Sequence, residues 1–260
     1  MKRIILALTV AALALSACKS QYEVLLDSND VDQKYAAAFA YFDEGKFQKA
    51  AQLFESMSIQ TGGTEKDDTV QYYWGLSNYR FKDYMTAQTN FEKFVEVYPN
   101  SPFTEMASFY ILDCMFRNTY RYELDQTPTY QTITAINRYI VNYPYTDKLD
   151  VCHQMLDDLE ERLDRKAYES AKLYYKMEDY KAAKVALRNV LKDDADNIYR
   201  EQILYYTAMS SFKYAEMSID EKKHERYLTF QDDYLNFIEE YPESEYRAEL
   251  DRLYKKSKEK

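Results

Sequence analysis

"KDYMTAQTNFEKFVEVYPNS", Lys82 to Ser101, holds two patterns from which the fold can be read. Its first half places an aromatic, Tyr84, three residues before Ala87 and seven before Phe91. Its end joins Tyr98-Pro99 to a hydroxyl residue, Ser101. The first pattern recurs in "GKFQKAAQLFESM" (Gly45–Met57) as Phe47, Ala50 and Phe54, and in "EDYKAAKVALRNV" (Glu178–Val190) as Tyr180, Ala183 and Leu187. Ala38, Gly75 and Ala171 each stand twelve residues before the alanine. The ending recurs in "NRYIVNYPYT" (Asn137–Thr146) and "LNFIEEYPES" (Leu235–Ser244). There Thr132, Ile136 and Pro144, and then Phe230, Tyr234 and Pro242, keep the offsets of Ala87, Phe91 and Pro99.

Small residues belong where two helices cross closely, and large side chains fill the space beside them. Proline disfavours the helical conformation in the residue before it, so Tyr98, Tyr143 and Tyr241 should end their helices. Ser101, Thr146 and Ser244 can cap the helix that follows. The tyrosine can pack back on the last turn. Composition agrees with this reading. The 260 residues include 4 Gly and 5 Pro, with 46% hydrophobic and 30% charged side chains, too few turn-formers for a many-stranded β protein. The chain is expected to be all-α.

The spacing resembles the tetratricopeptide repeat, an antiparallel helix pair, and implies a right-handed solenoid of about five helical hairpins with a concave groove. The expected pairs are Val31–Glu44 with Phe47–Ser58, Asp67–Phe81 with Tyr84–Tyr98, and Phe103–Asn118 with Thr129–Tyr143. Then come Asp147–Met177 with Tyr180–Lys192 and Ile198–Met217 with Ile219–Tyr241, with a tail helix from Glu245. "TGGTEKDD" (Thr61–Asp68) and "TYRYELDQTP" (Thr119–Pro128) read as irregular insertions.

Ahead of the repeats, Lys2 and Arg3 precede the apolar run "IILALTVAALAL" and the sequence Leu15-Ser16-Ala17-Cys18. A charged start, a short apolar centre, small residues and a cysteine make a secretory signal resembling a bacterial lipobox. Residues 1–17 are read as signal peptide, Cys18 as the lipidated N-terminus and 18–30 as a tether. Diacylation with N-acylation gives more than one chain, enough for stable anchoring. Lys19 is not the aspartate of the inner-membrane retention signal, so the outer membrane, at its periplasmic face, is expected. With 44 acidic against 34 basic residues, the chain is an unsuitable nucleic-acid partner. Beyond Cys18, Cys114 and Cys152 could form a disulfide in an oxidising compartment or remain buried thiols.

A second stripe lies beside the packing stripe on the first helix of each pair. Tyr35, Phe39 and Phe42 fall at i, i+4 and i+7, as do Tyr72, Leu76 and Tyr79, and Tyr168, Lys172 and Tyr175. This stripe is centred roughly 70–100° from the packing one. Two readings stand. The rings could line a peptide-binding groove, or they could pack against the next hairpin or the tail.

No catalytic constellation is visible: no G-x-S-x-G, no H-E-x-x-H and no phosphate-binding glycine loop. Cys152 and His153 are neighbours on a helix and point about 100° apart. Acidic runs such as "LDDLEERLD" read as solvated helix faces. Neither an enzyme nor a bound metal or cofactor is expected.

The lipobox, the tether and five repeats with Tyr-Pro endings resemble the BamD family of outer-membrane assembly lipoproteins. The likeness includes "YESAKLYYKMEDYKAAK" (Tyr168–Lys184), with Tyr174, Tyr175, Tyr180, Ala182 and Ala183. That resemblance implies a non-catalytic scaffold that helps to fold and insert β-barrel proteins. It implies that residues 31–145 receive unfolded barrel segments, with Tyr35, Phe39, Phe42, Tyr72, Leu76 and Tyr79 as the candidate groove. It also implies that 146–260 dock a BamA-like barrel insertase near Tyr168, Tyr175 and Arg188. One position departs from the family: its docking arginine falls at Ala186 here, two residues before Arg188. A repeat-containing adaptor lipoprotein of another envelope or secretion complex would share most of these features.

Overall fold

The computed structural model describes residues 20–259, so the signal segment and Cys18 lie outside the described residues. Among the described residues there are twelve α-helices and no strand, as the repeat pattern predicts. They are α1 (Gln21–Asp27), α2 (Val31–Asp43), α3 (Phe47–Met57), α4 (Asp67–Arg80), α5 (Tyr84–Val97) and α6 (Thr104–Arg117). The rest are α7 (Thr127–Asn142), α8 (Leu149–Lys176), α9 (Tyr180–Asp193), α10 (Arg200–Glu216), α11 (Asp220–Glu240) and α12 (Arg247–Ser257). Two compact units result, one of residues up to 119 with 128–150 and one of residues 120–127 with 151 onward.

The turns inside three hairpins share one geometry. Gly45, Lys82 and Glu178, each two residues before the repeat aromatic, have positive φ of 74°, 70° and 62°. The next amide in each turn reaches back over the helix end: Lys46 to Tyr41 carbonyl at 2.8 Å, Asp83 to Asn78 and Asp179 to Tyr174 at 3.0 Å. This is the left-handed helix stop that satisfies otherwise orphaned carbonyls. Asp83 and Asp179 then cap α5 and α9, accepting from the amides of Thr86 (3.1 Å) and Ala182 (3.0 Å).

The small residues sit where close crossings need them. Ala38, Ala50, Ala87 and Ala183 have no exposed surface. A Cβ built on Gly75 would lie 2.9 Å from the Phe91 ring, so only glycine admits α5 at that distance. In unit 1, Phe54, Leu53 and Met57 fill the first hairpin, and Phe91 and Phe94 the second. In unit 2, Leu187 packs with Ala171 and Ile203, while Phe212, Phe230 and Phe237 fill the last pair and Leu250 brings in α12.

The Tyr-Pro endings behave alike in all three copies. The amides of Ser101, Thr146 and Ser244 donate to the carbonyls of Tyr98 (3.1 Å), Tyr143 (3.1 Å) and Tyr241 (3.3 Å), closing a turn with proline second. Each tyrosine ring packs on the residue four back: Tyr98 on Phe94 at 5.2 Å, Tyr143 on Tyr139 at 4.9 Å and Tyr241 on Phe237 at 5.9 Å. The capping expectation needs correction. The hydroxyls accept from amides two residues on, at Phe103, Lys148 and Tyr246, within the turn and short of the helix start. They lock the connection, while α6 and α12 begin without a side-chain cap.

The stretch read as a tether also contains α1. Ser20 and Glu23 form a capping box, with bonds of 3.2 and 2.7 Å. Tyr22 anchors it by donating to Gln52 at 2.7 Å and meeting the Tyr41 ring edge-on at 5.5 Å.

Candidate binding surfaces

The second aromatic stripe is taken up largely by stacking between hairpins. Phe39 and Phe42 meet Tyr73 of α4 at 4.7 and 5.3 Å. Tyr72 stacks on Phe103 at 4.5 Å with the rings 13° apart, and Tyr79 lies 4.6 Å from Tyr110 of α6. Leu76 is buried with them. In unit 2, Tyr168 stacks on Tyr199 at 5.1 Å and Tyr175 meets Tyr206 at 5.0 Å. Tyr72, Leu76 and Tyr168 are therefore buried, whereas Tyr35, Phe39, Phe42, Tyr79 and Tyr175 are half-buried and keep part of their surface in solvent.

These contacts follow a spacing distinct from that of the repeat alanines. Phe103 and Tyr199 each lie 31 residues after the ring they cover. The same step from Tyr35 reaches Lys66, whose ammonium sits 5.0 Å above the Tyr35 ring and 2.5 Å from Asp32. Where two hairpins have a ring on a ring, the first has a cation over a ring, which leaves Tyr35 less deeply covered. Phe103 and Tyr199, aromatics immediately ahead of α6 and α10, are the sequence signal for these contacts.

Polar groups secure the same faces. Tyr79 donates to Asp113 Oδ2 at 2.6 Å, and that oxygen also accepts from Arg117 at 2.5 Å. Burial, then this carboxylate, push the Tyr79 phenol well above its ordinary pKa. Burial also pushes Tyr175 up to about 12. Arg188 does not stand free: its guanidinium reaches Asp233 of α11 at 2.5 Å, and the other oxygen of Asp233 accepts from Ser211 of α10 at 2.5 Å. The arginine thus ties α9 to the last hairpin while half its side chain stays exposed. Cys114 and Cys152 are free, buried thiols; burial pushes Cys114 up to about 12 and raises Cys152 as well.

Among the described residues no cluster of three or more His, Cys, Asp or Glu is placed to hold a metal ion, and no helix is long and apolar enough to cross a membrane.

A family model described as "YfiO: Outer membrane lipoprotein" matches residues 27–229, from the end of α1 to the middle of α11. The chain belongs to this family. The YfiO match takes in every residue of the candidate surfaces in both units. The chain is also 22% identical over 170 residues to the outer membrane protein assembly factor BamD of Caulobacter vibrioides. That alignment covers 65% of this chain and 56% of the relative, so the chain spans little more than half of its length. Among solved structures it is similar to the TPR2AB-domain:pHSP90 complex of yeast Sti1. That similarity has 15% identity and a TM-score of 0.39, over 88% of this chain and 98% of that one.

Proposed function

We propose that this YfiO-family lipoprotein is a non-catalytic scaffold for the assembly of β-barrel proteins, held by Cys18 at the periplasmic face of the outer membrane. The observation that carries the reading is the family match across residues 27–229, supported by the relative named as an assembly factor. Residues 31–145 would hold unfolded barrel segments, and 146–260 would dock a BamA-like insertase.

Exposure favours some of these rings over others in the proposed role. Binding needs surface, and Tyr35, Phe39 and Phe42 keep solvent-facing edges where Tyr72 and Leu76 do not. Their neighbours already hold the rings at 4.7 to 5.3 Å, so a bound strand would order few side chains. Tyr79, hydrogen-bonded to Asp113, would border the same face. For the partner, Tyr175 presents a partly open ring. Arg188, with part of its five-donor guanidinium on Asp233, can direct remaining donors at a carboxylate. Tyr168 would shape this region from below by holding Tyr199.

Affinity purification from detergent-solubilised membranes tests the proposal. The expected principal membrane partner is a barrel insertase with periplasmic domains. Recovery of a secretion apparatus in its place would move the chain to an adaptor role in another envelope complex.

A further inference from the structure

On the edge of unit 1 where α3 hands over to α4, two adjoining recesses remain that hairpin stacking does not fill. One, of about 550 Å³, is walled by Ile59, Trp74 and Val97, with Glu55 and Lys93 at its rim. The other, of about 590 Å³, lies between the turn at Gly63–Asp68 and the turn at Tyr98–Ser101. Asp67, Val97 and Tyr98 line both. This edge is built from helix ends and connecting turns, apart from the aromatic stripe discussed above.

Asp67 is the unusual element. It is 8% exposed, and its Oδ2 accepts from the Gly63 amide at 2.8 Å. Burial, then the adjacent Asp67 carboxylate, push the Tyr98 phenol above its ordinary pKa. Oδ1 has no hydrogen-bond partner. An unsatisfied buried carboxylate oxygen is costly, and a donor entering the recess would relieve it. The surroundings select a cation. Glu55, Glu65, Asp67 and Asp68 line the two recesses against the single base Lys93, while nearby Lys66 is drawn away to Asp32. A hard metal ion would need several more free oxygens, but Asp68 is already engaged by Ser101 at 2.9 Å and Thr69 at 3.2 Å. Apolar surface is available beside the acid, with Ile59 91% and Val97 53% exposed and Trp74 as a wall.

We propose that this edge docks a basic peptide segment of a partner protein, an arginine or lysine reaching Asp67 Oδ1 while an adjacent apolar side chain rests on Ile59, Trp74 and Val97. The face of Trp74 adds attraction for the same cation. The charge-assisted bond supplies specificity and the apolar wall supplies contact area.

Trp74 is the chain's one tryptophan, so its emission reports occupancy. The full lipidated chain in detergent micelles would be titrated with blocked peptides Gly-Leu-X-Leu-Gly, where X is arginine, its neutral isostere citrulline, or glutamate. Saturable change is expected with arginine, weakening as salt rises, with roughly tenfold poorer binding for citrulline and none for glutamate. Asp67→Asn keeps an acceptor for Gly63 and should cost the arginine peptide roughly tenfold. If that variant loses its helical circular dichroism, Ile59→Ser with Val97→Ser, at exposed positions, should weaken binding several-fold instead. Equal binding of the arginine and citrulline peptides, no saturable binding of either, or affinity unchanged in the folded variants would overturn the proposal.

Discussion

Replacing Tyr72 with alanine is expected to destabilise the chain by about 3–5 kcal/mol, the range for truncating a large buried aromatic. The ring is 6% exposed, stacks on Phe103 at 4.5 Å and lies within 6 Å of Phe91 and Phe94. Truncation would open a cavity at the junction of the second and third hairpins, where each unit of the repeat depends on its neighbour. Such a loss is a large share of the stability of an ordinary domain, about 5–15 kcal/mol. Urea unfolding followed by circular dichroism measures it. A cycle with Phe103→Ala isolates the stacking contribution, and the two changes should be less than additive. A loss under about 1 kcal/mol would instead show the ring facing solvent, as a ligand platform would require.

The second large effect concerns Arg188. Its partner Asp233 is 7% exposed at the side chain, so Arg188→Ala leaves a buried carboxylate that accepts from Ser211 and has Lys184 as a nearby cation. Breaking a fully buried pair costs about 3–5 kcal/mol, but Arg188 is itself 48% exposed and water screens the interaction. A loss of about 2 kcal/mol is expected on those grounds. Arg188→Met with Asp233→Leu should recover part of it, because no charge is then stranded. Thermal unfolding of the single and double variants decides this. Neutral behaviour of Arg188→Ala would mean that the guanidinium is wholly available for a partner.

The repeat made the hairpins legible, because small-residue positions and Tyr-Pro endings carry their geometry in their spacing. Ala87 marks a crossing, and Pro99 marks an end. Lys82 and Glu178 hid their left-handed turns, since nothing in a lysine or glutamate advertises a positive φ; alignment with Gly45 was the available hint. The helix at Gln21–Asp27 is too short, at seven residues, to show a period, although Ser20 and Glu23 spell a capping box.

The candidate surfaces were only half legible. A 3.6-residue period tells which face of a helix Tyr72 occupies, but what covers that face depends on Phe103, a ring 31 residues away. For the same reason the family's arginine offset leads to Ala186 with Arg188 two residues on, but nothing in that offset tells that Asp233, 45 residues away, engages Arg188. The unsatisfied Asp67 arises from a turn, α4 and α5 meeting at one edge, which periodicity does not describe.

Controlled depletion of the chain in its host, with quantification of β-barrel proteins in purified outer membranes, tests the assembly role most directly. The account predicts a several-fold fall in barrel proteins while inner-membrane proteins hold their level. Undiminished barrel abundance after the chain has gone would contradict it.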